Sequence, residues 1–263
     1  MELIGYVAAL LMGFTLGLMG GGGSILTVPI LVYFFHMNGV EATTGSLFVV
    51  GATALVGTAM NHRNRSVDWK TGFLFALPSM AGVFFSRKII LPVIPDHLQI
   101  TTAMSLSKAS LLLILFSLLM VFSARAMLQP SEAKKQDPQT SPHLLNVTLK
   151  GFLVGTITGF VGAGGGFLIV PALTLLLQIP IRLAIGTSLA IISLNSIFGF
   201  AISFDQHTNW TLLLIVTSLG VVGLFAGIKL SPHIPEKRLK SVFAYFILAI
   251  GVFVFSETLW RSL

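Results

Sequence analysis

The chain has 263 residues, of which 54% are hydrophobic and 10% are charged, with 21 phenylalanines and no cysteine. This composition excludes an ordinary soluble domain, and the lack of cysteine excludes disulfides, thiol catalysis and thiolate metal sites. The formal net charge of +7 does not indicate nucleic-acid binding, because the basic residues lie between apolar runs, where they act as orientation signals. Apolar runs of roughly 20 residues recur along the chain and predict a polytopic α-helical membrane protein embedded in a lipid bilayer.

The first apolar stretch, residues 3–36, contains four consecutive glycines, Gly20, Gly21, Gly22 and Gly23. It has no small-residue cleavage site, so we expect it to be retained. As one helix it would be about 50 Å long, against a bilayer core of about 30 Å. Glycine is also unfavourable inside a helix. The stretch is therefore either a broken helix that crosses the membrane or a hairpin that turns at the glycines.

Three further helices are predicted near residues 41–60, 71–86 and 100–123, followed by a polar, proline-containing linker. The second half repeats this order, with a glycine-broken stretch at 147–178 and helices near 182–204, 209–229 and 239–257. A shift of 142 positions places Gly20 on Gly162, and a shift of 141 places Trp69 on Trp210. We therefore predict a first transmembrane repeat at 1–123, a cytoplasmic linker at 124–146 and a second transmembrane repeat at 147–263.

Loop charge distinguishes the two alternatives for the glycine stretches. If both cross the membrane, the Lys and Arg residues divide eight against seven, with Lys108 left inside a span. If both are hairpins, twelve lie on one side and only Arg87, Lys88 and Arg261 on the other, which is the asymmetry of the positive-inside rule. We predict an all-α polytopic membrane fold of two inverted repeats, each a glycine-tipped broken helix or hairpin followed by three transmembrane helices. Both termini then lie outside. The twelve are Arg63, Arg65, Lys70, Arg125, Lys134, Lys135, Lys150, Arg182, Lys229, Lys237, Arg238 and Lys240.

Inverted hairpins enter from opposite faces, so their glycine turns can meet near the middle of the membrane. The first amide groups of each returning helix lack intrahelical partners and, with the helix dipole, favour an anion. Broken helices at a repeat interface form the binding sites of many secondary transporters. The alternative is that the glycines only permit close helix packing. The predicted substrate-binding residues are Gly20, Gly21, Gly22, Gly23, Ser24, Thr44, Ser46, Gly162, Gly164, Gly165, Gly166, Thr187, Ser188 and Asn195.

Three polar residues outside the glycine turns have two interpretations each, and a fourth, Glu41, has one. Asn195 either lines a pathway or bonds to a neighbouring helix. Lys108 either reaches the membrane surface or lies on an anion path. Arg182 is an anchor at the cytoplasmic surface or a group that recruits anions. Glu41, at a helix start, is the one candidate for a proton relay.

The duplicated motifs resemble the sulfite exporter TauE/SafE family of the toluene-sulfonate uptake permease group. The resemblance covers nearly the whole chain and depends on "GLMGGGGSILTVP", "TTGS" and "HRNRSVDW" in the first half. The second half carries "GFVGAGGGFLIVP", "IGTS" and "TNW". The first half departs from the pattern in having Ser24 where the second has Gly166, and "TGS" in place of "GTS".

The resemblance implies transport of sulfite, sulfonates or related small organosulfur anions across a bacterial inner membrane. We expect a secondary transporter, with export as the favoured direction and import or an anion channel as alternatives. No enzyme motif such as "HExxH", "GxSxG" or "GxxxxGK[ST]" is present, so we predict no enzymatic activity, cofactor or metal. A membrane scaffold is a third alternative. The expected partners are the small sulfur-containing anion and the lipid bilayer; the oligomeric state, a homodimer included, stays open.

Overall fold

The computed structural model describes residues 2–94, 97–101, 104–128, 144–161, 166–204 and 209–262. Helices dominate the described residues and recur in the same order in both halves. In the first half they are α1 (Glu2–Met19), α2 (Ser24–Pro29), α3 (Gly39–Arg63), α4 (Trp69–Phe85), the short α5 (Leu91–Val93) and α6 (Lys108–Leu128). In the second half they are α7 (Leu144–Val161), α8 (Gly166–Pro171), α9 (Ile181–Ser203), α10 (Trp210–Leu230) and α11 (Glu236–Ser262).

The helix starts follow from capping side chains. Asn38 accepts a hydrogen bond from the Glu41 amide at the start of α3. Asp68 and Asn209 cap α4 and α10 in the same way, which places Trp69 and Trp210 at equivalent helix starts. Such caps satisfy amide groups that the first helical turn cannot pair.

Each glycine-broken stretch folds back on itself. In the first half a 3₁₀ turn, Gly21–Gly23, leads into α2, and a π-helical segment, Ile30–Phe34, continues it. The Phe35 ring then packs on Tyr6 near the start of α1, with ring centroids 5.2 Å apart. In the second half α8 continues into a π-helical segment, Ala172–Leu176, and the Lys150 ammonium of α7 donates to the Leu176 carbonyl at 3.2 Å. Both stretches are therefore hairpins whose ends lie at the same side.

The helix pairs also repeat under the sequence shift. Gly13 and Gly17 of α1 contact the backbone of Gly220 and Leu224 on α10. The equivalent residues of α7, Gly155 and Gly159, contact the backbone of Ser79 and Val83 on α4. Residue numbers rise together in both contacts, so α1 runs parallel to α10 and α7 runs parallel to α4. Glycine makes these close approaches possible because it has no side chain.

Helices α3 and α9, which are equivalent in the two halves, pack against each other in the centre. Gly51 of α3 lies beside Ile197 of α9, and Gly57 lies beside Leu189. The numbers run in opposite directions, so α3 and α9 are antiparallel. Helix α4 continues into a π-helical segment, Ser86–Ile90, and runs parallel to α9, because Asn195 contacts Ser79 of α4 and Ser203, eight residues later, contacts Arg87 of this segment.

The predicted helix at residues 100–123 is wrong at its beginning. The strands β1 (His97–Thr101) and β2 (Met104–Ser107) pair antiparallel before α6 begins at Lys108. Polar and apolar residues alternate through both segments, which is the period of a strand. Lys108 therefore lies at a helix start and not within a span, and the fold class includes one short strand pair. The predicted linker is helical at both ends, because α6 ends at Leu128 and α7 begins at Leu144; residues 129–143 lie outside the described residues.

Five of the described helical segments are long and apolar enough to cross a membrane. They are residues Gly39–Arg63, Trp69–Val93, Ile181–Ser203, Trp210–His233 and Glu236–Thr258. Many large apolar side chains on them are exposed, Leu77, Leu214 and Phe253 among them. Exposed apolar side chains are stable in contact with lipid tails, so this surface suits a multi-pass membrane protein.

Candidate functional site

The two glycine hairpins touch at Gly21 and Gly166. A Cβ atom added to Gly21 would overlap the carbonyl group of Gly166, and one added to Gly166 would lie 2.7 Å from the Cα of Gly21. Backbone contacts this close exclude any side chain larger than hydrogen. The predicted meeting of the two turns is therefore confirmed for this pair. Gly162, Gly164 and Gly165 lie outside the described residues.

Gly20 joins the first hairpin to helix α9. Its φ angle of +70° is rarely adopted by other residues. An added Cβ atom would lie 2.5 Å from the hydroxyl oxygen of Ser188, which itself donates to the Ile185 carbonyl at 2.8 Å. Gly20 and Ser188 were both predicted to belong to the site, and the structure places them in contact.

The returning arm of the first hairpin begins earlier than predicted. The Ser24 amide donates to the Gly21 carbonyl, and the Ser24 hydroxyl donates to the same oxygen at 2.7 Å. Ser24 therefore offers no free amide, and the amide groups that lack a partner within the returning helix belong to Gly21 and Gly22. A Cβ atom on Gly22 would lie 2.6 Å from the Phe243 ring, and Gly23 packs on the α1 backbone at Met12. These two glycines thus also serve close packing.

One face of α9 follows the touching hairpins. Ser188, Ile192 and Asn195 recur at positions i, i+4 and i+7 and so lie on the same face. Ser188 contacts Gly20, and the Ile192 side chain would lie 2.7 Å from a Cβ atom on Gly166. Asn195 donates to the Ser79 hydroxyl of α4 at 2.6 Å. Its carbonyl oxygen is buried and has no hydrogen-bond partner among the described residues. Asn195 therefore bonds to a neighbouring helix and keeps one free polar atom.

The other hydroxyl groups that were predicted to belong to the site form hydrogen bonds within or between the surrounding elements. Thr187 accepts a hydrogen bond from the Asp68 amide at 2.9 Å, so its oxygen fixes the connection between α3 and α4. Thr44 and Ser46 are buried in the first turns of α3, and the Ser46 hydroxyl donates to the Thr43 carbonyl at 2.8 Å.

Glu41 and Arg182 lie at exposed helix starts. The Glu41 side chain is exposed in the first turn of α3, where its charge complements the helix dipole. Arg182 donates to the carbonyl groups of Pro232 and Ile234 and lies 3.3 Å from a Glu236 carboxylate oxygen. Arg182 is thus an anchor between α9 and the α10–α11 connection.

Sequence reasoning treated Arg87 as a loop charge, but the structure buries it. Arg87 is 8% exposed and donates to the Gly159 carbonyl at 3.2 Å and to the Ser203 hydroxyl at 2.9 Å. The neighbouring Ser86 is also fully buried. The repeat did contain a signal that Arg87 is not an ordinary loop charge, because the shift of 141 places Arg87 on the apolar Ile228. A cation in one half where the other has an apolar residue is a departure that helix packing alone does not require.

No group of three or more His, Asp or Glu side chains that would suit a metal ion is found among the described residues. The arrangement instead offers neutral donors: backbone amides at the glycine turn, hydroxyl groups and an amide side chain. Such donors bind anions without a cofactor.

Comparisons with known proteins agree with the fold. The family model described as "Sulfite exporter TauE/SafE" matches residues 6–254. A "Probable membrane transporter protein" of Xylella fastidiosa is 30% identical over 96% of this chain and 92% of its own length. "Probable membrane transporter protein YunE" of Bacillus subtilis is 26% identical over 93% of this chain and 94% of its own length. No solved structure matches. The chain belongs to the TauE/SafE sulfite exporter family of membrane transporters.

Proposed function

We propose that this protein is a secondary transporter that exports sulfite or a related small organosulfur anion across the bacterial inner membrane. The observation that carries the proposal is the contact between Gly21 and Gly166. It joins two broken helices from the two halves of the chain, which is where secondary transporters commonly bind their substrates. The anion would bind at the free amides of the first glycine turn, beside Ser188 of α9.

The helix directions support an inverted arrangement of the two halves. Helices α1 and α3 begin at the same end, because the first hairpin returns Phe35 to Tyr6 just before α3 begins at Gly39. Helix α4 runs parallel to α9, and α9 is antiparallel to α3, so α4 runs opposite to α1. Its equivalent in the second half, α10, runs parallel to α1. Equivalent helices thus point in opposite directions, which favours alternating access by movement of one repeat against the other.

Loop charge gives the orientation. Arg87 is buried in the protein and no longer counts as a loop charge. The asymmetry then rises to twelve cations against Lys88 and Arg261. By the positive-inside rule the linker is cytoplasmic and both termini lie outside. An anion that leaves an inside-negative cell moves with the potential, by about 2.3 kcal/mol per charge per 100 mV, so export needs no proton partner.

The test is flux in proteoliposomes that contain the purified protein. Sulfite, sulfate, thiosulfate and a short alkyl sulfonate are compared at increasing concentrations, with empty liposomes as the control. A transporter gives saturable flux with a preference among the four anions. Flux that rises linearly with concentration would indicate a channel, and no flux above the control would contradict the proposal. Imposing the gradient in each direction in turn distinguishes export from import.

A further inference from the structure

We propose that Arg87 binds the transported anion at the outer end of a polar path that leads from the glycine turns. This inference rests on the proposed function and adds the charged residue that its site otherwise lacks. The ligand class is a small oxyanion, since a guanidinium group binds two oxygens of a sulfur- or phosphorus-centred anion in a planar, bidentate manner.

Arg87 has unusual surroundings for a cation within an apolar helix bundle. It is 8% exposed, and its two hydrogen bonds go to neutral oxygens, the Gly159 carbonyl and the Ser203 hydroxyl. Among the described residues no carboxylate lies within ion-pair distance of it. A buried charge is costly unless it is compensated, and intramembrane cations commonly mark ion pathways. A bound oxyanion would compensate this charge.

Arg87 ends a set of buried and half-buried polar side chains along the contact of α9 with α4 and with the π-helical segment Ser86–Ile90 that continues α4; between the two ends of this set Val83 lies against Gly199. The set pairs Ser79 with Asn195 at one end and Arg87 with Ser203 at the other, eight residues further along both helices. Two atoms of this set are buried without a hydrogen-bond partner among the described residues: the Asn195 amide oxygen near one end and the Ser86 hydroxyl oxygen near the other. Buried polar atoms are nearly always paired, so unpaired atoms at both ends indicate space for a polar ligand or water. We refer to Ser79, Ser86, Arg87, Asn195 and Ser203 as the polar row.

The polar row connects directly to the proposed site. Ile192 of α9 touches the second hairpin at Gly166, and Asn195 is on the next turn of the same helix. From Ile192 to Ser203 the helix rises about 16 Å at 1.5 Å per residue, which is close to half of a bilayer core. With the glycine turns at mid-membrane, Arg87 lies near the outer boundary. The row therefore spans the distance that an exported anion still has to cover.

The fold does not require these polar residues. The shift of 141 places Ser79 on Gly220, Ser86 on Gly227, Arg87 on Ile228 and Asn195 on Ala54, whereas it places Ser203 on His62. The equivalent contact, between α10 and α3, thus has small or apolar residues at four of the five positions. A polar row at one of two equivalent contacts is explained by a ligand that passes on that side, and not by packing.

The test compares sulfite flux of full-length variants in proteoliposomes. We expect Arg87→Gln to lower flux at subsaturating sulfite at least tenfold, mainly through a higher KM, and Arg87→Lys to recover part of it. The matched control is Lys88→Gln, which removes an exposed cation from the neighbouring position and should stay within twofold of the wild type. Wild-type flux in a folded Arg87→Gln variant would overturn the proposal.

A second control separates anion binding from an internal ion pair. Asp205 follows Ser203 by two residues and lies outside the described residues. If Arg87 binds the anion, Asp205→Asn should keep flux within twofold. An equal loss in Asp205→Asn and Arg87→Gln would mean that Arg87 neutralises that carboxylate, and the proposal would fail.

Chemical rescue tests, within one folded variant, whether sulfite flux requires a positive charge at position 87. The chain has no cysteine, so Arg87→Cys creates one reactive thiol. Reaction with aminoethyl methanethiosulfonate restores a positive charge and should raise sulfite flux at least fivefold, whereas methyl methanethiosulfonate should not. A thiol that reacts with neither reagent, or equal flux after both, contradicts a charged site on an aqueous path. If no Arg87 variant folds, the proposal is tested with Ser86→Ala instead. A KM for sulfite that is at least threefold higher than that of the wild type supports the proposal, and an unchanged KM overturns it.

Failure of the proposed function would leave a different signature. In that case the wild type transports none of the sulfur anions, and the anion site is judged by melting temperature in detergent with added sulfite or sulfate. Stabilisation of the wild type that is lost in Arg87→Gln supports the site alone. Equal melting behaviour of the two proteins rejects it.

Discussion

The contact between the two hairpins predicts a strong effect of one methyl group at Gly21. In Gly21→Ala the new Cβ atom would coincide with the carbonyl group of Gly166, which is backbone and cannot turn aside as a flexible side chain would. The φ angle of Gly21 is not positive, since among the glycines only Gly20 has a positive value within the described residues. The cost of Gly21→Ala is therefore steric and not a matter of backbone strain.

The size of the effect follows from packing energies. Overpacking a tight core contact costs typically about 1–3 kcal/mol, while alanine regains up to about 1 kcal/mol of helix propensity. A net cost of about 2 kcal/mol lowers the population of the state with touching hairpins roughly 30-fold, at about 1.4 kcal/mol per factor of ten. If substrate binds only in that state, the apparent affinity falls by the same factor.

The assay is saturable anion flux in proteoliposomes, together with the melting temperature in detergent. Gly57→Ala is the matched control, because its Cβ atom would lie 3.1 Å from a methyl group of Leu189, which can move. We expect Gly21→Ala to lose flux by at least tenfold and Gly57→Ala by less than threefold. Wild-type flux in Gly21→Ala would refute the reasoning, since the touching hairpins would then play no part in transport. Equal losses in both variants would mean that the glycines serve packing alone.

Three further predictions concern orientation, driving force and a structural hydroxyl. Cysteines introduced at Gln136 and Ser262 should react with an impermeant thiol reagent from opposite faces of the membrane; labelling from one face would exclude the inverted topology. Without a pH gradient, an imposed potential should accelerate anion movement toward the positive side; flux that follows only a pH gradient would indicate a titrating group such as Glu41. Thr187→Val should destabilise the protein by about 1 kcal/mol in thermal melts by leaving the Asp68 amide unpaired, while Thr187→Ser should not.

The length of the apolar stretches and the internal repeat were enough to predict most of the fold. A stretch of more than 30 apolar residues with glycines at its centre cannot cross as one helix, and both such stretches are indeed hairpins. The repeat then predicted the contact between the turns, and Gly21 with Gly166 bears this out. The strand pair at residues 97–107 was missed because the apolar content of the segment was weighed above its alternation of polar and apolar residues.

The site could be predicted only as far as backbone and local motifs determine it. Ser24 and Thr187 suited anion binding by residue type, yet their partners are the Gly21 carbonyl and the Asp68 amide. Side-chain partners depend on which helices become neighbours, and a single sequence does not contain that information. Arg87 was misjudged for the same reason, because a cation just beyond the end of a predicted helix has the same local sequence whether it faces lipid headgroups or α9.

An inverted duplication by itself makes a pathway that is the same from both sides. The glycine hairpins come from equivalent parts of the two halves, although the residues in contact are not equivalent, because the shift of 142 places Gly21 on Ala163 and Ser24 on Gly166. In the proposed orientation the polar row breaks the equivalence of the two sides, because Arg87 lies toward the outer side and Ile228 has the equivalent position toward the inner side. An anion at the inner end would then be attracted by the cationic loops on that side, whereas the outer loops carry few cations to receive it. A single buried guanidinium group toward the outer side would supply that attraction within the membrane, where the low dielectric makes it effective.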